Sequence, residues 1–487
     1  MYEKGRACCG FVQSTLMCPH TTLGGVNTLD APDLPLSLWH DDPSLKPFSS
    51  APLKGDVVAD VAIVGAGYTG LWTAYFLLKE NPSLSVVICE AETVGYGASG
   101  RNGGWCSALF PASMKKIASL SSRDEAIRLQ RAMNASIAEM GTIIAAEKID
   151  CDWKQGGYVS LARNEAQLVR SRNEVSGWNS WGFGKEHMQL LSKKEASERA
   201  NATHVLGGTF TPNCAAMHPA KLASGLARVV QGLGAKIYEH TRVTRIAERR
   251  IETERGTVRA DVIIRATEGF TAEFKESHRA IIPMYSLMVA TEPLSKSQLA
   301  EIGLGERETF SDKRHLRIYG QRTKDGRLAF GGRGAPYHYG SKVSPSFDRD
   351  EGVHDMLRGI LRELFPALGD TGFTHAWGGN LGIPRDWYPS VTFDRRTGFG
   401  QAGGYVGDGV STAYVAGKTL AAEILESDSD MRTLPWVGRH SPNWEIEPLR
   451  WLGVNAVTQA FAQSDRDEAR TGRPAGIASA VWRFIGH

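Results

Sequence analysis

The sequence predicts an α/β chain in which a Rossmann-like dinucleotide-binding domain is interrupted by an inserted β-rich domain. Three observations predict it. A strand, glycine turn, helix and strand follow one another from Asp60 to an acid at Glu90. A second doubly wound stretch begins at Pro219, and a glycine-rich turn near Gly409 feeds a closing helix.

The first unit is read from its periodicity. D-V-A-I-V at residues 60–64 is a short apolar strand, 69–79 is apolar with helical spacing, and L-S-V-V-I-C at 84–89 is a second strand. Between them V-G-A-G-Y-T-G sets Gly65, Gly67 and Gly70 in the spacing G-x-G-x-x-G. Such glycines let the backbone turn tightly and approach a pyrophosphate, whose charge rests on the helix N-terminus. Glu90, ending the second strand, is placed to accept from the ribose hydroxyls of an adenosine, and its charge repels the 2′-phosphate of NADP.

Residues 1–55 are broken by Gly and Pro and read as an extended leader that rests on the body through Leu38 and Trp39. The dinucleotide-binding domain takes 56–110, 217–284 and 394–427, resuming with a helix at 219–232 and the strands A-K-I-Y-E-H and D-V-I-I-R-A-T. The inserted domain takes 111–216 and 285–393. It begins with a helix at 123–147, a strand at 156–162 and a polar helix, and ends with three β-rich stretches and a helix near 353–365. The tail, 428–487, is amphipathic and aromatic-rich; lacking a dense basic face, it is expected to dock on its own chain. The substrate is expected between the two domains, where ligand sites concentrate.

Composition bounds the partners. Over 487 residues, 42% are apolar and 22% charged, and the net charge of +3 supplies no field for nucleic acid or an anionic membrane. No apolar run approaches the ~18 residues of a membrane span, and the N-terminus lacks a secretory pattern, so a cytoplasmic protein acting on small molecules is expected. The seven cysteines include no C-x-x-C, which excludes a dithiol oxidoreductase. Cys8, Cys9, Cys18 and His20 do not form a closed ligand set, and no metal is expected. His315, His338 and His375 read as structural histidines.

FAD rather than NAD is the expected dinucleotide because of the segment G-Y-G-A-S-G-R-N-G-G-W, residues 95–105. Ser99, Arg101 and Asn102 offer a hydroxyl, a cation and an amide to a pyrophosphate, while glycines such as Gly103 approach the isoalloxazine. Near the other end, Gly404, Gly407 and Gly409 lead into a helix from Val410. Backbone donors and a helix N-terminus there suit the negative charge that gathers at N1 and C2=O of a reduced flavin.

These pieces resemble the FAD-dependent D-amino-acid oxidase superfamily, with its glycine oxidases, sarcosine oxidases and γ-glutamylputrescine oxidoreductases. The resemblance covers about 60–423 and is most specific at A-S-G-R-N-G-G, H-P-A-K-L-A-S-G-L-A and G-G-Y-V-G-D-G-V-S. It implies FAD, a backbone contact from Val243 to the adenine, and oxidation of the carbon beside an amine nitrogen to an imine that is hydrolysed. The flavin would then be reoxidised by O2 or another acceptor. From the residues alone Val243 is a buried strand position. Other readings are a flavin enzyme acting on a non-amine substrate, such as an aromatising dehydrogenase or hydroxylase, and a flavin-binding protein without turnover.

Two family features are missing. Leu381, in W-G-G-N-L-G-I-P-R-D, stands where the family's carboxylate-clamping arginine is expected, which argues against simple D-amino acids. Ala329 stands near the family's oxygen-activating lysine. Arg333 and Arg385 are the cations offered instead, and Tyr285, with Tyr319, Trp387 and Tyr388, is expected to form an aromatic wall for a cationic substrate. No attachment histidine or cysteine of the family is evident, so FAD is expected to be held noncovalently; Cys106 is the only nucleophile near the glycine loop that could link it. Glu268 reads as remote from the nucleotide.

Overall fold

The computed structural model describes residues 36–476, 478 and 481; the Cys8, Cys9, Cys18 and His20 group lies outside the described residues. Among the described residues, two eight-stranded sheets and one two-stranded ribbon carry the fold.

Strand Val57–Val64 is central in the first sheet, parallel to Gly256–Arg265 on one side and to Val86–Cys89 on the other. Lys236–Tyr238 and Phe399–Gly403 extend the parallel set outward. The strands are near-continuous apolar runs because both faces are covered. Val61, Ile63, Val86 and Ile88 pack in one core with Leu71, Leu226 and Leu420, from helices Tyr68–Glu80, Pro219–Gly232 and Gly409–Leu425. Ala62, Val64, Val87 and Cys89 form a separate core with Val258 and Ile263.

The first and last of these helices pack side by side. A Cβ at Gly417 would lie 2.7 Å from Trp72 Cβ and from the Thr73 nitrogen, so only glycine admits this approach. At the turn after the central strand Gly65 adopts φ +104°, and a Cβ there would sit 2.6 Å from the Ala266 carbonyl oxygen. The sequence thus dictates two helix N-termini at one edge of one sheet.

The second sheet runs Phe373–Pro384, Ile281–Thr291, Leu328–Gly332, Ile318–Arg322, Thr309–Asp312, Tyr158–Ala162, Gly207–Thr211 and Gln189–Ser192. Thr309–Asp312 and Tyr158–Ala162 are parallel, and the other pairs are antiparallel. Strands from both inserted segments therefore meet in one sheet, giving the expected α/β architecture. Three details differ from the sequence reading. W-G-G-N-L-G-I-P forms the C-terminal part of a twelve-residue strand paired along most of its length with Ile281–Thr291. Its side-chain alternation is hidden because small residues face the glycine loop: a Cβ on Gly379 would lie 3.8 Å from Ala98 Cα. Strand Ser390–Asp394 belongs to the first sheet, through its hairpin with Phe399–Gly403, and Ile281–Thr291 begins the second sheet before residue 285.

The tail forms helix Leu449–Thr471. Asp465 accepts from the backbone nitrogens of His315 and Leu316, and Asn455 exchanges hydrogen bonds with the Tyr337 backbone. Among the described residues no helix is long and apolar enough to cross a membrane.

Candidate active site

At the edge where the two helices begin lies a cavity of about 410 Å³ lined by Gly65, Gly67, Glu90, Val243, Gly409 and Val410. Neither helix is capped by the side chain of its N-cap residue, Gly67 or Asp408, so first-turn backbone donors and two positive dipole ends are presented here. Glu90 accepts from the backbone nitrogens of Ala66 (2.8 Å) and Glu92 (3.0 Å), and burial raises its pKa. It thereby ties the glycine turn to the end of the second strand. Gly70 packs on Gly65, outside the cavity wall, where a Cβ would lie 2.1 Å from the Gly65 oxygen.

The sequence reading missed two further groups in this cavity. Asn380 is buried, and neither polar atom of its carboxamide has a partner among the described residues. A buried amide left open in this way points to a ligand. Glu268, expected to be remote, lines the same cavity at φ +41° and accepts from the backbone nitrogens of Gly404 (2.8 Å), Tyr405 (3.1 Å) and Gly382 (3.3 Å). Its carboxylate joins the glycine turn at 403–409 to the strand carrying Asn380 and Leu381, and burial pushes its pKa up to about 7. The Gly404 nitrogen is thus engaged by Glu268, and Gly404 does not line this cavity.

The loop after Glu90 is held differently from the expectation. The Arg101 guanidinium is buried in an ion pair with Asp348 (2.6 Å) and does not line the 410 Å³ cavity, so its charge is already matched. The Asn102 carboxamide donates to the Ala98 and Ser99 oxygens and accepts from the Gly104 nitrogen; it shapes the loop and has no free donor for a pyrophosphate. Ser99 Oγ accepts from the Tyr68 nitrogen at 2.9 Å, which caps the first helix beside Gly67. Gly103 presses on the Tyr319 ring, where a Cβ would lie 2.7 Å from Cε2, and it lines the second cavity rather than the first. Gln321, Trp39 and Trp377 clamp the loop through its carbonyls at Gly103, Asn102 and Arg101. Cys106 is buried against Met140 and lines neither cavity.

A second cavity, of about 790 Å³, adjoins the first; Ala98, Asn102, Leu381, Gly407 and Val410 line both. Tyr285, Tyr319 and Trp387 line it as expected, whereas Tyr388 is buried elsewhere. The Tyr285 hydroxyl bonds to the Ser344 backbone, accepting from its nitrogen at 3.1 Å, and burial pushes its pKa up to about 12. Tyr285 therefore offers shape and apolar surface rather than a proton. Ala329 is buried in the strand core and faces neither cavity.

Most arginines of this cavity are matched: Arg101 by Asp348, Arg170 by Glu468, Arg314 by Asp312, Arg450 by Glu447 and Arg385 by Glu445 at 2.8 Å. Arg385 is thereby held away from a substrate-clamping role. Its neighbour Asp386 pairs with Arg439. Arg317 and Arg333 make no ion pair among the described residues. The Arg333 guanidinium donates to the Val406 oxygen and lies over Trp387. A Cβ on Gly407 would be 3.4 Å from Leu381 Cδ1 and 3.5 Å from Arg333 Nη2, so the Arg333 guanidinium and the Leu381 side chain meet beside Gly407. Burial first, then the like charge of Arg317, pulls Arg333 down to about 10, which leaves it cationic at neutral pH. The candidate histidines are engaged: His315 with Glu468, His338 stacked on Phe347, and His375 with Asp41.

The class of protein, a flavin-dependent oxidoreductase, follows from the chain itself. Residues 60–423 match the family of FAD-dependent oxidoreductases typified by D-amino-acid oxidase, and the chain belongs to it. It is 32% identical over 393 residues to a protein of Rhizobium meliloti named "Probable oxidoreductase OrdL", covering 78% of this chain and 86% of that one. It is 28% identical over 394 residues to the γ-glutamylputrescine oxidoreductase of Escherichia coli, covering 78% and 86%. Its fold is shared with the crystal structure of glycine oxidase from Geobacillus kaustophilus, with a TM-score of 0.66 at 22% identity over 79% of this chain and 100% of that one.

Proposed function

We propose that the protein binds FAD in the smaller cavity and oxidises the carbon next to the nitrogen of an amine that also carries an acidic group. The single observation that carries this reading is the shared wall of the two cavities, with Leu381 and Gly407 on it and Arg333 beside them. The donor set of the smaller cavity fits FAD. Glu90 and Val243 would hold the adenosine, Gly65, Gly67 and Ser99 the pyrophosphate, and Gly407, Gly409, Val410 and Asn380 the flavin end. When bound, FAD supplies the two-electron acceptor that takes a hydride from the amine carbon, giving an imine that water hydrolyses.

The chain's own residues bind and orient. Arg333 and Arg317 present two guanidiniums to one cavity, and the field of the Asp408 carboxylate opposes both. An acidic group on the substrate completes this charge set. Their positive field also disfavours an ammonium nearby, so the reacting nitrogen is held as the neutral amine without a protein base. The aromatic wall of Tyr285, Tyr319 and Trp387 excludes water around it. The activities named for the E. coli relative, on a γ-glutamyl amine, and for the Geobacillus neighbour, on glycine, are consistent with amine chemistry at this site.

The test is anaerobic mixing of the FAD-loaded protein with sarcosine, N-methylglutamate, their methyl esters and the matching 2-hydroxy acids. The acid-bearing amines are expected to bleach the flavin, and deuterium on the reacting carbon to slow the bleaching. Bleaching by the hydroxy acids with none by any amine would overturn the reading.

A further inference from the structure

We infer that the C-terminal helix Leu449–Thr471, which lies beyond the family-matched region, is a specificity wall of the substrate cavity, selecting amines whose far end is an apolar body. The helix presents one face to the 790 Å³ cavity through Gly453, Val454, Val457, Thr458 and Phe461. Spacings of three and four residues put these on one stripe. The stripe is apolar apart from the Thr458 hydroxyl, which donates back to the Val454 oxygen of its own helix. From Gly453 to Phe461 it therefore offers a passing substrate methyl groups and the edge of a ring stacked on His315, whereas Arg450, one turn earlier on the same helix, lines the cavity with a guanidinium paired to Glu447 whose Nη1 has no partner among the described residues.

The helix is fastened as a fixed wall. At one end Asn455 accepts from the Tyr337 nitrogen and donates to the Tyr337 oxygen, in the manner of a strand neighbour. At the other end Glu468 takes both Arg170 nitrogens and His315 Nε2, and Asp465 accepts from two successive backbone nitrogens. His315, Asp465 and Glu468 come close enough to suggest a metal site, but their oxygens are occupied by Arg170 and by backbone donors, so they act as the latch. The cavity is thus two-ended: a cationic end at Arg317 and Arg333 beside the shared wall, and an apolar face contributed by the tail.

This inference rests on the proposed function for the reacting end, and its test separates the two. The binding probes are propionate and 5-phenylpentanoate, neither of which can be oxidised as an amine. Their affinities for the FAD-loaded full-length protein are read by calorimetry. The reaction probes are sarcosine and N-(3-phenylpropyl)glycine, read by anaerobic flavin bleaching. The protein is expected to bind 5-phenylpentanoate at least tenfold more tightly than propionate. Val457→Trp, which fills the space under the helix, is expected to reduce that preference by tenfold or more. Gln459→Trp, on the exposed face of the same helix, is expected to keep it. Thr458→Trp is the second filling variant, should Val457→Trp lose its FAD or its cooperative unfolding. Equal affinity for the two acids in the wild type, or a preference that survives both filling variants, overturns the inference. If the preference holds and falls with the filling variants while no amine bleaches the flavin, the wall stands and the proposed reaction falls.

Discussion

Replacing Glu268 by alanine tests whether the cofactor cavity is built around that carboxylate. Its two oxygens accept three backbone N–H groups from two separate segments, Gly382 on the strand and Gly404 and Tyr405 on the turn. An amide left without a partner costs about 1–3 kcal/mol when buried. Because the group borders a cavity, water recovers part of that, and roughly 2–4 kcal/mol is expected for Glu268→Ala. Glu268→Gln keeps one acceptor oxygen and turns an NH2 toward at least one N–H, so about 1–2 kcal/mol is expected. The pH dependence adds a signature. With its folded pKa raised to about 7, the folded state holds its proton more tightly than the unfolded chain, whose glutamate titrates near 4.5. The wild type therefore loses stability as pH rises from about 4.5 to 7, whereas Glu268→Gln does not, and the gap between them narrows over that window. Urea unfolding of the FAD-free proteins, followed by tryptophan fluorescence at pH 5 and pH 8, measures both effects. An unchanged midpoint for Glu268→Ala, or a gap that widens with pH, refutes the reasoning.

Other outcomes follow from the same geometry. Glu90→Arg is expected to abolish FAD retention, read as flavin absorbance per protein after desalting, while Glu80→Arg at the exposed end of the first helix retains it. Arg333→Leu is expected to weaken binding of an acid-bearing amine by roughly 10- to 100-fold, since a charge-assisted hydrogen bond is worth about 1.5–3 kcal/mol, with a much smaller effect on its methyl ester. Equal losses for acid and ester would remove the arginine from the substrate's acidic end. Trichloroacetic acid is expected to release all the FAD to the supernatant, because the Cys106 thiol is buried and its pKa is pushed well above the ordinary range. Yellow colour in the pellet would contradict noncovalent binding. The hydrogen bonds of His315 and Arg170 hold Glu468 at about 2, so its latch contributes fully above the ordinary carboxyl range and is lost as pH falls toward 2. Hydrogen exchange of the C-terminal helix should therefore show undiminished protection at pH 5, and early loss there would remove Glu468 from the latch.

The parts of the fold that local pattern controls were legible in the sequence. The helix Pro219–Gly232 and the glycine turn after Val64 stand where periodicity and G-x-G-x-x-G put them, because apolar period and backbone freedom are written residue by residue. What sequence reasoning missed depends on partners far along the chain. Arg101 was offered to a pyrophosphate, but Asp348, distant in sequence, claims it. Arg385 reads as a cation for the substrate, yet Glu445 from the tail takes it. Glu268 looked remote because its donors lie at Gly382 and Gly404, which only the meeting of the two sheets brings together. Asn380 lies inside W-G-G-N-L-G with no local pattern to mark it, and only the pairing of its strand with Ile281–Thr291 shows where that residue stands. Arg317 carried no signal at all beyond its place before the strand Ile318–Arg322.

The most direct measurement of the central claim is the stoichiometry of a single anaerobic turnover. FAD-loaded protein is mixed with one equivalent of the acid-bearing amine that bleaches it fastest, and the products are counted against reduced flavin. The account predicts one carbonyl compound and one released amine for each flavin reduced, with the acidic group intact in one product. Flavin reduction without carbonyl formation, or a product oxidised at a carbon not bonded to nitrogen, would contradict it.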